Sequence, residues 1–168
     1  EDTAPNAAEE QPQQPKVYQL PPIALLNENP DRTARAGQGE YMDGARRLEE
    51  TLLSFGVKCQ VINVSIGPAI TRYELQPAPG VKISRIVGLA DDIALSMAAS
   101  GVRIEAPIPG KSAVGIEVPN KKSTTVHLRT LLENPAFTNA KSRISCALGL
   151  DVAGANVYLD IARMPHLL

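Results

Sequence analysis

Two passages of the chain repeat one order of elements, helix then strand then strand, and few folds accommodate that. In the first, Tyr41, Ala45, Leu48, Leu52 and Phe55 are spaced 4, 3, 4, 3, with Arg46, Arg47, Glu49 and Glu50 between them. That spacing puts the apolar residues on one stripe of a helix and the charges opposite, and Gly56 supplies the stop. Residues 57–66 are rich in β-branched side chains, Gly67-Pro68 is turn punctuation, and residues 69–76 alternate again, which predicts a hairpin or a close strand pair. In the second passage Ile83, Ile86, Val87, Ala90, Ile93, Ala94 and Met97 keep helical spacing, with an interruption at Gly88. Strands over 102–106 and 113–118 follow. The order implies an α/β (α+β) fold: a small mixed sheet with helices, closed by a third helix over about 123–134.

The flanks read differently. Residues 1–16 hold no aromatic or large aliphatic residue and are rich in Pro, Gln and Glu, so they cannot offset the entropy of ordering and are expected to be a linker. Pro21-Pro22 marks residues 18–26 as an extended lead-in. Beyond Pro135, strands are expected over 144–150 and 156–163, and Pro165 to Leu168 looks like the entrance to a further strand. Two or three strands do not make an independent core. Residues 17–135 are therefore expected to form one unit, and 136–168 the opening strands of another.

Charge and cysteine usage exclude several functions. The formal net charge is −1; residues 1–16 carry −3, from Glu1, Asp2, Glu9 and Glu10 against Lys16, which leaves +2 for the remainder. That balance does not by itself announce a nucleic-acid binder. No apolar run approaches the roughly 18 residues of a membrane span. Cys59 and Cys146 fall in expected strands and form no C-x-x-C, and with His127 and His166 they offer no metal-ligand spacing. They read as buried thiols.

One stretch mimics a nucleotide site. Gly110-Lys111-Ser112 matches the end of a phosphate-binding loop, but the position that needs the first glycine is Glu105, and Pro109 has no N–H to donate. A carboxylate there would repel phosphate, and residues 113–118 alternate like a strand where such a loop should open a helix. Gly110, Ser112 and Gly115 are one residue too widely spaced for a nucleophile elbow. Asp91 and Asp92 are neighbours on a helix, so they diverge by about 100° and suit the helix dipole better than acid–base catalysis. No catalytic, cofactor-binding or metal-binding residue is expected.

Four motifs stand in order along the chain: Gly67-Pro-Ala-Ile-Thr-Arg-Tyr-Glu74, Arg85-Ile-Val-Gly-Leu-Ala-Asp-Asp-Ile-Ala-Leu95, Arg103-Ile-Glu-Ala-Pro-Ile-Pro-Gly-Lys-Ser-Ala-Val-Gly-Ile-Glu-Val-Pro-Asn120 and Ala162-Arg-Met-Pro-His-Leu-Leu168. Together they closely resemble the motor region of the FtsK/SpoIIIE family of bacterial DNA translocases. The resemblance covers roughly residues 18–168; Gly88 departs from the polar residue expected there. It implies a ring-forming first subdomain followed by the opening strands of a RecA-like ATPase subdomain, with the P-loop expected after Leu168. It further implies a hexamer that pumps double-stranded DNA during division or sporulation, ATP and Mg²⁺ held by the parent protein, and a cytoplasmic motor whose parent is anchored in the inner membrane. The fragment itself is expected to make no membrane contact. A free-standing adaptor domain of the same fold, and a divergent nucleotide site at Lys111 and Ser112, are the competing readings.

Within such a ring, Arg72, Arg103, Lys111, Lys121 and Lys122 are the residues expected to face DNA phosphates or a neighbouring subunit. Arg72 alternates with Ile70 and Glu74, and Arg103 with Glu105, so the competing reading is a solvated sheet face or one paired across strands. Weak binding without sequence preference is expected, since nothing in the chain reads base edges.

Overall fold

The computed structural model describes residues 19–30 and 38–167; the acidic segment 1–16 lies outside them. Helix α1 spans Gln38–Ser54, and its stripe residues Ala45, Leu48 and Leu52 are buried. Gly56 ends it at φ 73°. There the Gly56 N–H donates to Leu53 O and the Val57 N–H to Leu52 O, both at 2.8 Å, and Val57 is fully buried, so the turn closes on an apolar contact. Strands β1 (Cys59–Ile66) and β2 (Ile70–Pro77) form the expected antiparallel hairpin. A bulge between Val61 and Asn63 interrupts β1, and there the Val61 N–H donates to Glu49 Oε1 at 2.6 Å, so α1 satisfies part of an edge strand. Helices α2 (Ile83–Val87) and α3 (Ala90–Ser96) part at Gly88-Leu89, where the interruption was expected. Strands β3 (Arg103–Glu105) and β4 (Val114–Pro119) follow.

The sheet order is β1-β2-β4-β3. In each hairpin the first strand is outermost and the second central, so the helix-strand-strand echo becomes a sheet with the same order read from either edge. The class, helices packed on one sheet, is as expected, but mixed pairing is not observed: all three pairings are antiparallel. The reason is topological. The helical crossover brings β3 back in the direction of β2, and β4 inserts between them, so no two parallel strands touch. Tyr73, Leu75, Val114, Ile116 and Val118 point from one face into a core shared with Leu48, Leu52, Ile86 and Ile93. The opposite face carries charge.

The rest of the chain departs from expectation in places. In place of a helix over 123–134, only α4 (Leu128–Leu132) is helical. Thr124, Thr125 and Val126 are β-branched and resist helix, and the Thr124 N–H is taken by Pro68 O at 2.7 Å. An unexpected turn of helix, α5 (Pro135–Thr138), follows; Asn134 Oδ1 accepts from the Ala136 N–H at 2.9 Å, and Pro135 sits where a missing N–H costs nothing. Strands β5 (Ser145–Leu150) and β6 (Asn156–Asp160) pair as an antiparallel hairpin, but residues 161–163 form a 3-10 turn rather than prolonging β6. Residues 165–167 pair with no strand. The hairpin rests on α4 and α5: the Tyr158 hydroxyl donates to Leu131 O at 3.0 Å and its ring lies 5.7 Å from Phe137. The lead-in contains one 3-10 turn, Ile23–Leu25, and Arg129 ties it down, donating to Leu26 O at 3.4 Å and pairing with Glu28 at 3.0 Å. No helix among the described residues is long and apolar enough to cross a membrane.

Candidate functional site

Cross-strand register builds a charged network on the outer face of the sheet. Arg72 of β2 stands opposite Glu117 of β4, and Arg103 of β3 stands opposite the same Glu117; Glu74 and Glu105 both face Gly115. Because residue 115 has no side chain, the Arg72 guanidinium lies over the strand and reaches Glu105 as well as Glu117, the latter at 3.3 Å. A Cβ at Gly115 would sit 3.1 Å from both Nε and Nη2 of Arg72, so the glycine is the seat of the guanidinium. Glu117 and Arg72 keep only 8% and 13% of their side-chain exposure. Arg72 Nε is buried without a hydrogen-bond partner.

Gly110-Lys111-Ser112 belongs to the same face. Gly110 has φ 77° and the Lys111 N–H donates to Ile108 O at 3.0 Å, forming the tight turn that leads into β4. Lys111 Nζ is held by both oxygens of Glu74, at 2.7 and 2.8 Å. This arrangement does not fit a nucleotide: the lysine is bound to a carboxylate and Pro109 contributes no donor.

Of the five expected contact residues, the structure brings Arg72, Arg103 and Lys111 together among Glu74, Glu105 and Glu117. Arg72 is paired across strands and largely covered on the outer face. Arg103 is 80% exposed and 3.7 Å from Glu117. Lys121 and Lys122 are exposed at the other end of β4, where Lys121 borders a cleft of about 230 Å³ that also contains Asp43 and Arg47. Asp91 and Asp92 occupy the first turn of α3, as the dipole reading requires. Among the described residues no group of three or more His, Cys, Asp or Glu is placed to hold a metal. Both cysteines are free and half-buried rather than sealed in the core.

Sequence reasoning passed over a second group of cations. Lys58, Lys82 and Arg85 line one groove at the end of the sheet where β1 begins and β2 ends. The signal was available: from Thr51 to Ala90 the chain holds four cations, Lys58, Arg72, Lys82 and Arg85, against the single acid Glu74. Averaging charge over the whole chain hid it.

Cys59 sits beside the β1 bulge. Burial, and secondarily the nearby Glu49 carboxylate, push its thiol up to about 11. A thiol raised above its unfolded value contributes stability that is fully present below the ordinary thiol range and is lost as pH climbs toward 11. At about pH 8, Cys59 is expected to react with iodoacetamide more slowly than a free thiol such as glutathione, because the thiolate is the nucleophile. Alkylation at the glutathione rate would overturn this.

Residues 20–120 match the family model of the FtsK alpha domain, and the chain belongs to the FtsK family of DNA translocases. It is 55% identical over 153 residues to the DNA translocase FtsK of Clostridium acetobutylicum, a span that covers 90% of this chain and 20% of that protein. The DNA translocases FtsK of Clostridium tetani and Caldanaerobacter subterraneus are each 53% identical to it, over 90% of this chain and 20% and 21% of their own lengths. The chain spans about one-fifth of the length of these curated relatives.

Proposed function

We propose that this chain is the assembly and coupling part of a hexameric, ATP-driven translocase of double-stranded DNA that serves chromosome segregation at division or sporulation. The observation that carries the reading is the match of residues 20–120 to the FtsK alpha domain in a chain one-fifth as long as the named translocases. ATP and Mg²⁺ belong to the remainder of the longer protein, and this part supplies no catalytic residue. The unit of residues 17–135 contributes to the ring, and residues 136–168 lead into the RecA-like subdomain. Contact with the duplex is weak and without sequence preference, as a motor that tracks arbitrary DNA requires. Six weak contacts around one duplex act together at high effective concentration, so no single one needs to be strong. The proposed motor works on the cytoplasmic side of an inner membrane to which the parent is anchored, without membrane contact from this part.

The nucleotide side of the proposal is tested with two proteins: this chain, and the chain extended through the ATPase subdomain. Hydrolysis is expected only from the extended form, with sedimentation showing it as a hexamer on DNA. Saturable ATP binding by the short chain that disappears in Lys111→Ala would overturn the assignment. So would an extended protein that hydrolyses ATP as a monomer regardless of DNA.

A further inference from the structure

Of the five charged residues between Thr51 and Ala90, two are paired. Arg72 is matched by Glu105 and Glu117, and Glu74 by Lys111. Lys58, Lys82 and Arg85 remain; among the described residues none of the three is in an ion pair, and all three are exposed along a single groove of about 430 Å³. No Asp or Glu lines that groove.

The fold positions the groove firmly. The Ala78 N–H donates to Lys58 O at 3.0 Å, which closes the open end of the β1–β2 hairpin and places Lys58 against the 78–82 turn. Arg85 Nη2 donates to Phe55 O at 2.8 Å, so the guanidinium is anchored to the end of α1 while its other N–H groups stay available. Pro79 and Gly80 carry the turn, Gly80 at φ 88°, and an added Cβ there would meet nothing within 4 Å, which leaves the floor open to a ligand. The backbone N–H groups of Gly80 and Lys82 donate to no acceptor among the described residues. Two ammonium groups, a guanidinium fork and two free N–H donors suit an oxyanion with several equivalent oxygens. No aromatic side chain lines the groove on which a base could stack.

We propose that this groove is a phosphate-binding site, and that in the intact protein the phosphate belongs to a nucleic-acid backbone. The identity of the carrier rests on the translocase reading above; the phosphate chemistry does not. A contact of this kind fixes position on the duplex and carries no sequence information.

The test uses the 168-residue chain in two arms. In the first, inorganic phosphate is titrated while the amide signals of Gly80 and Lys82 are followed by NMR. In the second, a labelled 24-base-pair duplex is titrated by anisotropy over a range of salt, with Lys58→Ala/Lys82→Ala compared with Lys111→Ala/Lys121→Ala/Lys122→Ala. The double variant leaves the Arg85 anchor intact and alters only exposed side chains, so its fold is retained. It is expected to weaken duplex binding about tenfold at low salt and to lower the logarithmic salt slope by about 1.8, since each lost phosphate contact removes about 0.9. The triple variant is expected to do less, because Lys111 is already held by Glu74. Amide shifts with inorganic phosphate and no duplex binding would keep the phosphate site, assign it to a free phosphate and count against the DNA reading alone. Absence of those shifts, together with unchanged duplex affinity in the double variant, overturns the proposal.

Discussion

Arg72→Met is expected to cost about 3 kcal/mol of stability, because removing one partner of a buried ion pair strands the other. Methionine keeps the aliphatic length, so the loss reports the guanidinium rather than a void. Glu117 is nearly inaccessible and would be left with Arg103 alone, at 3.7 Å and from an exposed side chain. Glu105 keeps about a third of its exposure and can turn to water, which holds the cost near the lower end of the range for such breaks. The double variant Arg72→Met/Glu117→Gln should recover at least about 1 kcal/mol relative to the sum of the single changes, as residues in one network are not additive. Urea unfolding of the four proteins measures this. A single-variant loss under about 0.5 kcal/mol would mean that water already screens the network, as it does most surface pairs.

That network marks the limit of what the residues could reveal beforehand. Alternation exposed both hairpins and put Arg72 with Glu74 on one face of their strand and Arg103 with Glu105 on one face of theirs, because side-chain direction in a strand depends only on counting by two. Which acid each arginine meets depends on register, and register is set by how β4 slots between β3 and β2, the second of these a pairing with a strand some forty residues away in sequence. The role of Gly115 is invisible for the same reason: its importance comes from the guanidinium lying over it, not from its own φ. Helix α1 was legible to its final glycine, since its stripe and stop are both local. The expected helix over 123–134 failed where a tertiary hydrogen bond, Thr124 N–H to Pro68 O, added to the weak helical preference of three β-branched residues. Lys58, Lys82 and Arg85 were passed over because they are spread across 28 residues and meet only when the β1–β2 hairpin closes.

Ile116→Ala is expected to be at least as damaging, at about 3–4 kcal/mol, within the usual range for emptying a fully buried aliphatic site. Ile116 is wholly inaccessible, faces Tyr73 across one strand pair and Ile104 across the other, and lies in the cluster that joins Leu48 and Leu52 of α1 to Ile93 of α3. A cavity there cannot be closed by one neighbour, because strands on both sides hold β4 in place. Leu148→Ala provides the contrast: Leu148 is 61% exposed on β5, and every member of the core cluster lies between Ala45 and Val118. Its removal is expected to change stability by no more than about 0.5 kcal/mol. The comparison tests whether the four-stranded unit folds on its own core with the β5–β6 hairpin as a lightly held appendage, fastened by Tyr158 to Leu131 and Phe137. Chemical denaturation of both variants, followed by far-ultraviolet circular dichroism, reads the result. Equal losses would show that the hairpin shares the core, and that a strain applied to the chain beyond Leu150 would be felt directly at the sheet.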